Sequence, residues 1–108
     1  KVWAKGEDKP DFILEKSNKD VALIDLKGHS EKAWILNERA YKSYQKQGKE
    51  LKLPVYIIWL VIPEETLWYA KLPFTWLRKR FMPHDKNWVV IAHPDAVKPF
   101  SKFLAEFK

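Results

Sequence analysis

The eight residues Val55 to Ile62, bracketed by Pro54 and Pro63, restrict this chain more than any other stretch. Its β-branched and aromatic side chains favour an extended strand, and alternate side chains of a strand point to opposite faces. Both faces of this run are apolar, so it must lie inside a sheet covered on both sides. Eight residues fall far short of the roughly 20 needed to span a bilayer, and no signal-peptide apolar segment opens the chain. The expectation is a protein with no membrane association and a cytoplasmic location.

A length of 108 residues allows one core, and residues 1–108 are read as a single domain. The absence of Cys excludes a disulfide scaffold, a thiolate zinc site and a Cys nucleophile. Neither a Gly-rich phosphate loop nor a Gly-x-Ser-x-Gly elbow occurs, which argues against P-loop and serine-hydrolase chemistry. The formal charge of +6 favours an anionic partner such as nucleic acid, and the 16 aromatic residues can fill a core or stack on bases.

Residues Val2 to Ala4 suggest a short strand, and Gly6 to Pro10 a charged turn. Asp11 to Glu15 reads as a second strand, with Phe12 and Leu14 on one face. Turn residues Ser17 to Asp20 join it to a third, Val21 to Lys27, and the two form a hairpin. After a break at Gly28-His29-Ser30, Ser30 and Glu31 open a helix that runs to about Gln47. Ala33, Leu36, Ala40 and Tyr44 form its buried stripe, and Gly48 its C-terminal cap. Leu67 to Ala70 reads as a strand, Phe74 to Phe81 as a short helix or loop, and Trp88 to Ala92 as a last strand. Asp95 to Phe107 has the spacing of a closing amphipathic helix with Val97, Phe100, Phe103, Leu104 and Phe107 inward. The order predicts an α/β domain with a mixed central β-sheet flanked by helices and a helical crossover between Lys27 and Val55.

Acid-x-Lys triplets also occur at Glu7-Asp8-Lys9, Glu50-Leu51-Lys52 and Glu106-Phe107-Lys108. Only Asp25-Leu26-Lys27 ends an apolar strand and has an acid, in Pro10-Asp11, opening the strand before it. Charges ending a buried strand are costly unless paired or functional. This pattern resembles the PD-(D/E)xK, or restriction-endonuclease-like, nuclease superfamily over roughly Val2 to Ile62. Within it, the layout is most similar to the archaeal Holliday junction resolvases.

The resemblance implies a metal-dependent endonuclease that hydrolyses phosphodiester bonds in DNA, branched or junction DNA included. Such cutting needs a divalent cation to neutralise phosphate charge and lower the pKa of a bound water, and Mg²⁺ or Mn²⁺ takes hard carboxylate oxygens. Asp11 and Asp25 would supply two of these, and by resemblance the Leu26 backbone carbonyl a third. Side chains two apart on a strand share a face, so Lys27 stands beside Asp25, where its ammonium can serve the attacking water. Many relatives carry a further acid on a helix before the first strand; here Glu7 is the candidate substitute. On the following helix Glu38 or Arg39 lies near a position where relatives place a polar residue facing the site.

His29, Arg39 and the run Arg78-Lys79-Arg80 are the candidate phosphate contacts, and Lys42, Lys46, Lys49 and Lys52 form another basic strip. His84 and His93 read as structural. So small a domain covers little DNA, so a homodimer or a partner protein is expected. The competing reading is a non-catalytic basic nucleic-acid-binding or assembly module with the same fold.

Overall fold

In a computed structural model, residues 8–108 are described; the expected strand at Val2 to Ala4, and Glu7, lie outside them. Among the described residues eight strands form two sheets. The larger, of order β1-β2-β4-β5-β8, contains β1 (Phe12–Lys16), β2 (Lys19–His29), β4 (Val55–Val61), β5 (Thr66–Lys71) and β8 (Lys98–Pro99). The smaller, of order β3-β7-β6, contains β3 (Ile35–Asn37), β7 (Asn87–Ala92) and β6 (Trp76–Met82). The single α-helix among the described residues, α1 (Glu38–Leu51), lies in the crossover between β2 and β4, which pair in parallel. The mixed-sheet α/β architecture expected from the sequence is therefore present.

Local chemistry explains the joints. Ser17 and Asn18 both take positive φ, 52° and 64°, which a two-residue hairpin turn between Lys16 and Lys19 requires. β2 and β4 register with Asp25 beside Ile57 and Lys27 beside Trp59. The expected run is covered on both faces from Val55 to Trp59, whereas Leu60 and Ile62 at its far end are exposed. One face packs Val55, Ile57 and Trp59 with Leu23, Ala40, Tyr41 and Tyr44 and with Val90 and Ala92 of the small sheet. The other packs Tyr56 and Ile58 with Ala22, Ile24, Tyr69 and Phe103.

Three expected elements differ. The helix begins at Glu38 and not at Ser30, because Asn37 is the cap: its Oδ1 accepts from the Arg39 N–H at 2.9 Å. Trp34-Ile35-Leu36 has strand-favouring side chains, and tertiary pairing with β7 takes Ile35–Asn37 as β3. Leu36 is buried as expected, but from a strand. Gly48 lies within the helix, and the cap is Lys52 in the left-handed region, with the Leu53 N–H bonded to the Gly48 carbonyl at 2.9 Å. Gly28 and His29 continue β2 instead of breaking it.

The run Phe74 to Phe81, expected as a helix or loop, supplies β6. Residues Asp95 to Phe107 do not form one amphipathic α-helix. Pro99 interrupts it, leaving a short 3₁₀ turn (Pro94–Ala96), β8 and a 3₁₀ helix (Phe100–Phe107). A 3₁₀ helix brings every third side chain into line, which aims Phe100, Phe103 and Glu106 at the sheet and turns Leu104 outward, 73% exposed.

Glu106 latches that helix to the sheet. The Tyr69 hydroxyl donates to Glu106 Oε2 at 2.7 Å, the Tyr56 hydroxyl to Oε1 at 3.4 Å, and Lys98 Nζ lies 3.4 Å from Oε2. The Tyr69 hydrogen bond, followed by the Lys98 charge and the Tyr56 hydroxyl, holds the Glu106 carboxyl below its ordinary 4.5 despite partial burial. Burial and Glu106 together push Tyr56 up to about 12. Glu106→Gln should cost about 1.5–3 kcal/mol at neutral pH, the range for a hydrogen bond to a charged group. A depressed carboxyl stabilises above its unfolded value and loses that contribution as pH falls from 4.5 through the folded value. The deficit of the variant, read from denaturant melts, should therefore be full at pH 7 and shrink below pH 4.5.

Candidate active site

Asp25 stands in the interior of β2 with its side chain on the α1 side of the sheet, alongside Leu23 and Lys27, and is 1% exposed. A carboxylate buried this deeply needs partners. Lys27 Nζ, on a side chain about one-third exposed, lies 2.9 Å from Asp25 Oδ2. The hydroxyl of Tyr44, on the buried face of α1, hydrogen-bonds the same carboxylate. Burial pushes the Asp25 carboxyl above its ordinary 3.8; Lys27 and Tyr44 pull it down, and the charge of nearby Asp11 raises it again. Oδ2 itself accepts no hydrogen bond among the described residues, so its contact with Lys27 is an ion pair.

Asp11, just before β1, is brought to this point by the hairpin register. Its Oδ2 accepts the Leu26 N–H at 2.7 Å, tying the chain before β1 to the residue between Asp25 and Lys27. The N–H and C=O of one strand residue point toward the same edge, so the Leu26 carbonyl faces the Asp11 side and is turned from the β4 ladder. His29 continues the line of Asp25 and Lys27 along β2, each step being about 6.6 Å.

Asp8 also belongs to this corner. Its carboxylate Oδ2 accepts from Arg39 Nε at 2.8 Å, while its backbone carbonyl accepts from Ser43 Oγ at 2.7 Å and from the Gln47 amide. Asp25, Asp8 and Asp11 all lie near enough to the Tyr44 hydroxyl to add to the effect of burial, which drives its pKa strongly upward. Sequence reasoning put Tyr44 in a core stripe and passed over Asp8. Tyr44 is indeed core, and only the packing of α1 on β2 reveals that its hydroxyl meets a carboxylate. The spacing of Arg39, Ser43 and Gln47 at i, i+4 and i+8 was a usable signal that one helix flank is polar and partnered.

The remaining candidates divide. Glu38 does not face the carboxylates: Lys79 Nζ lies 3.0 Å and Lys42 Nζ 3.6 Å from its Oε2, and the Lys79 hydrogen bond holds its carboxyl below the ordinary 4.5. Arg39 is committed to Asp8, although its side chain remains 74% exposed. Arg78, Lys79 and Arg80 lie on β6 in the other sheet, apart from the Asp25 cluster. Lys42, Lys46 and Lys49 are exposed on α1, with Lys42 and Lys46 paired to Glu38 and Glu50. His93 has the structural part expected of it: its Nδ1 accepts the Asp95 N–H at 3.1 Å and caps the 3₁₀ turn.

Among the described residues no three Asp, Glu, His or Cys side chains group to hold a metal ion. Asp11 lies near enough for its charge to act on Asp25, and the Leu26 carbonyl is on the Asp11 side of the strand; carboxylate and carbonyl oxygens are the hard donors that suit a cation retaining several waters, as Mg²⁺ does. The buried Asp25 Oδ2 has no hydrogen-bond donor among the described residues, and the Lys27 ammonium at 2.9 Å is its counter-charge. Among the described residues no helix is long and apolar enough to cross a membrane. Compared with family models, curated proteins and solved structures, the chain finds no match in any of the three.

Proposed function

We propose that this chain is a metal-dependent endonuclease with a restriction-endonuclease-like core of the PD-(D/E)xK kind, hydrolysing phosphodiester bonds in DNA. The observation that carries the reading is the pairing of buried Asp25 with Lys27 two residues on, while Leu26 between them holds Asp11 alongside. Glu106 of the triplet Glu106-Phe107-Lys108, by contrast, serves the latch on the other face of the sheet.

Asp11 and Asp25, with the Leu26 carbonyl, would hold Mg²⁺ or Mn²⁺, which when bound neutralises phosphate charge and acidifies water. Lys27, whose side chain is about one-third exposed beside Asp25, orients the attacking water and stabilises the negative charge that develops on the phosphate. Tyr44 fixes the Asp25 carboxylate from behind. His29 and Arg39, flanking this point, contact neighbouring phosphates. A domain this small grips little DNA by itself, and a second copy or a partner protein completes the hold.

A non-catalytic DNA-binding module is the second reading, and one observation favours it: Lys27 already neutralises Asp25 within the fold. Cleavage of labelled duplex, single-stranded and four-way-junction DNA with Mg²⁺, Mn²⁺ or EDTA separates the two. The nuclease reading expects cation-dependent cutting that Lys27→Ala slows by about 10²–10³-fold, the scale of losing one transition-state donor. Binding with no cutting under any condition would leave the module.

A further inference from the structure

The β6–β7 hairpin reaches beyond its own sheet. β3 pairs only with Val89 to Ile91, so Phe81, Met82, Asn87, Trp88 and the turn joining them extend as two strands without a third. β6 is the edge of that sheet, and nearly all of it is exposed. Its register opposite β7 sorts the side chains. Lys79 and Phe81 share a face with Val90 and Trp88, whereas Arg78 and Arg80 share the opposite face with Ile91 and Val89.

Each face carries a different chemistry. On the first, Phe81 and Trp88 meet edge to face at 5.4 Å, and both remain over 40% exposed. Lys79 lies 4.8 Å from the Trp88 ring centroid and is tied to Glu38, so it is a local partner and not a free cation. On the second face, a shallow cavity of about 310 Å³ is lined by Lys32, Ile35, Arg78, Arg80 and Ile91, together with Glu31. Neither Arg78 nor Arg80 has an acidic partner among the described residues.

We infer that this hairpin is a binding element for single-stranded DNA, an inference that rests on the nuclease reading for its choice of polymer. Because β6 is an edge, one strand running along it meets both faces: Arg78 and Arg80 take successive phosphates, and a base stacks on Trp88. Free guanidiniums and edge backbone N–H groups are phosphate donors, and exposed rings bind any base by its π-face. A paired duplex offers no free base face for Trp88 except at its ends. Charges along an edge strand also oppose the addition of a protein strand, which favours nucleic acid over a β-partner.

The test is fluorescence anisotropy in EDTA with the full chain, a labelled 20-nucleotide oligo(dT) and a 20-base-pair duplex, over a salt series. The wild type should prefer the single strand. Trp88→Ala should weaken oligo(dT) binding about 5-fold or more with little effect on duplex, and Trp88→Phe should retain most of the affinity. Arg78→Gln and Arg80→Gln should each flatten the single-strand salt dependence by about 0.7 in logarithmic slope. Circular dichroism melts identify variants that have lost the fold, and Trp88→Phe is decisive if Trp88→Ala is among them. Unchanged affinity in folded Trp88→Ala, an unchanged slope in both arginine variants, or a wild type that binds neither probe overturns the inference. Cation-dependent cutting that these variants leave intact would spare the nuclease reading. Trp88-dependent binding by a chain that never cuts would sink the nuclease reading and spare the hairpin.

Discussion

Asp25→Asn should lower DNA cleavage by more than about 100-fold and, at neutral pH, raise the melting temperature of the protein. The first effect follows, on the proposed function, from removing one of the two carboxylates that would hold the metal, since residues one layer further from a metal already cost about 10–100-fold. The second follows from linkage. Burial is the largest influence on Asp25 and holds its carboxyl above 3.8, so the folded chain binds this proton more tightly than the unfolded chain does. Ionising Asp25 therefore costs stability: nothing below pH 3.8, more as pH rises through the elevated folded value, and the full amount above it. Asn avoids that cost, keeps an acceptor for the Tyr44 hydroxyl, and frees Lys27, already one-third exposed, to turn into solvent. Thermal melts of both proteins at pH 4, 5.5 and 7 check this. The gap should widen with pH; a variant that melts below the parent at pH 7 would show that the Lys27 pair outweighs the burial of the charge.

Trp59→Ala should remove a large part of the stability of the fold. Trp59 is 0% exposed in the central strand, its indole N–H donates to the Ile35 carbonyl at 3.0 Å, and its ring meets Trp34 at 5.6 Å and Phe74 at 6.3 Å. It thus joins the large sheet to β3 and to the segment that leads into β6. Truncating a buried Trp costs about 3–5 kcal/mol, and an unpaired Ile35 carbonyl adds to this, against a total of about 5–15 kcal/mol for a typical domain. Trp59 also stands beside Lys27 in the strand register, so residual folded molecules should have a disordered site. Urea melts followed by far-ultraviolet circular dichroism measure the loss. A midpoint close to that of the parent would mean that Trp34 and Phe74 close over the space.

Sequence reading succeeded where a single run carried its own constraint. Val55 to Ile62 declared a strand, which is buried on both faces as far as Trp59, and the hairpin expected from Asp11 to Lys27 forms and brings Asp11 onto the Leu26 N–H. It failed where tertiary partners decide between local options. Trp34-Ile35-Leu36 continues a helical stripe into Ala40 and Tyr44, and nothing local says that β7 will claim it as a strand. Phe74 to Phe81 alternates imperfectly because a bulge between Trp76 and Arg78 shifts the pattern by one residue. At the C-terminus the apolar spacing suits an α-helix, but Pro99 breaks the segment and Phe100–Phe107 winds as a 3₁₀ helix, which sets Glu106 against the sheet as the latch. Asp8 and Tyr44 were illegible for a different reason: their parts in the site come from packing between elements far apart in sequence.

The central claim is that Asp11 and Asp25 together hold one divalent cation beside Lys27. Titration of the full chain with Mn²⁺, followed by electron paramagnetic resonance of the free ion, tests it most directly. One Mn²⁺ should bind per chain in the wild type and in Lys27→Ala, and binding should be lost in both Asp11→Asn and Asp25→Asn. A chain that binds no Mn²⁺, or one whose binding survives both aspartate substitutions, would contradict it.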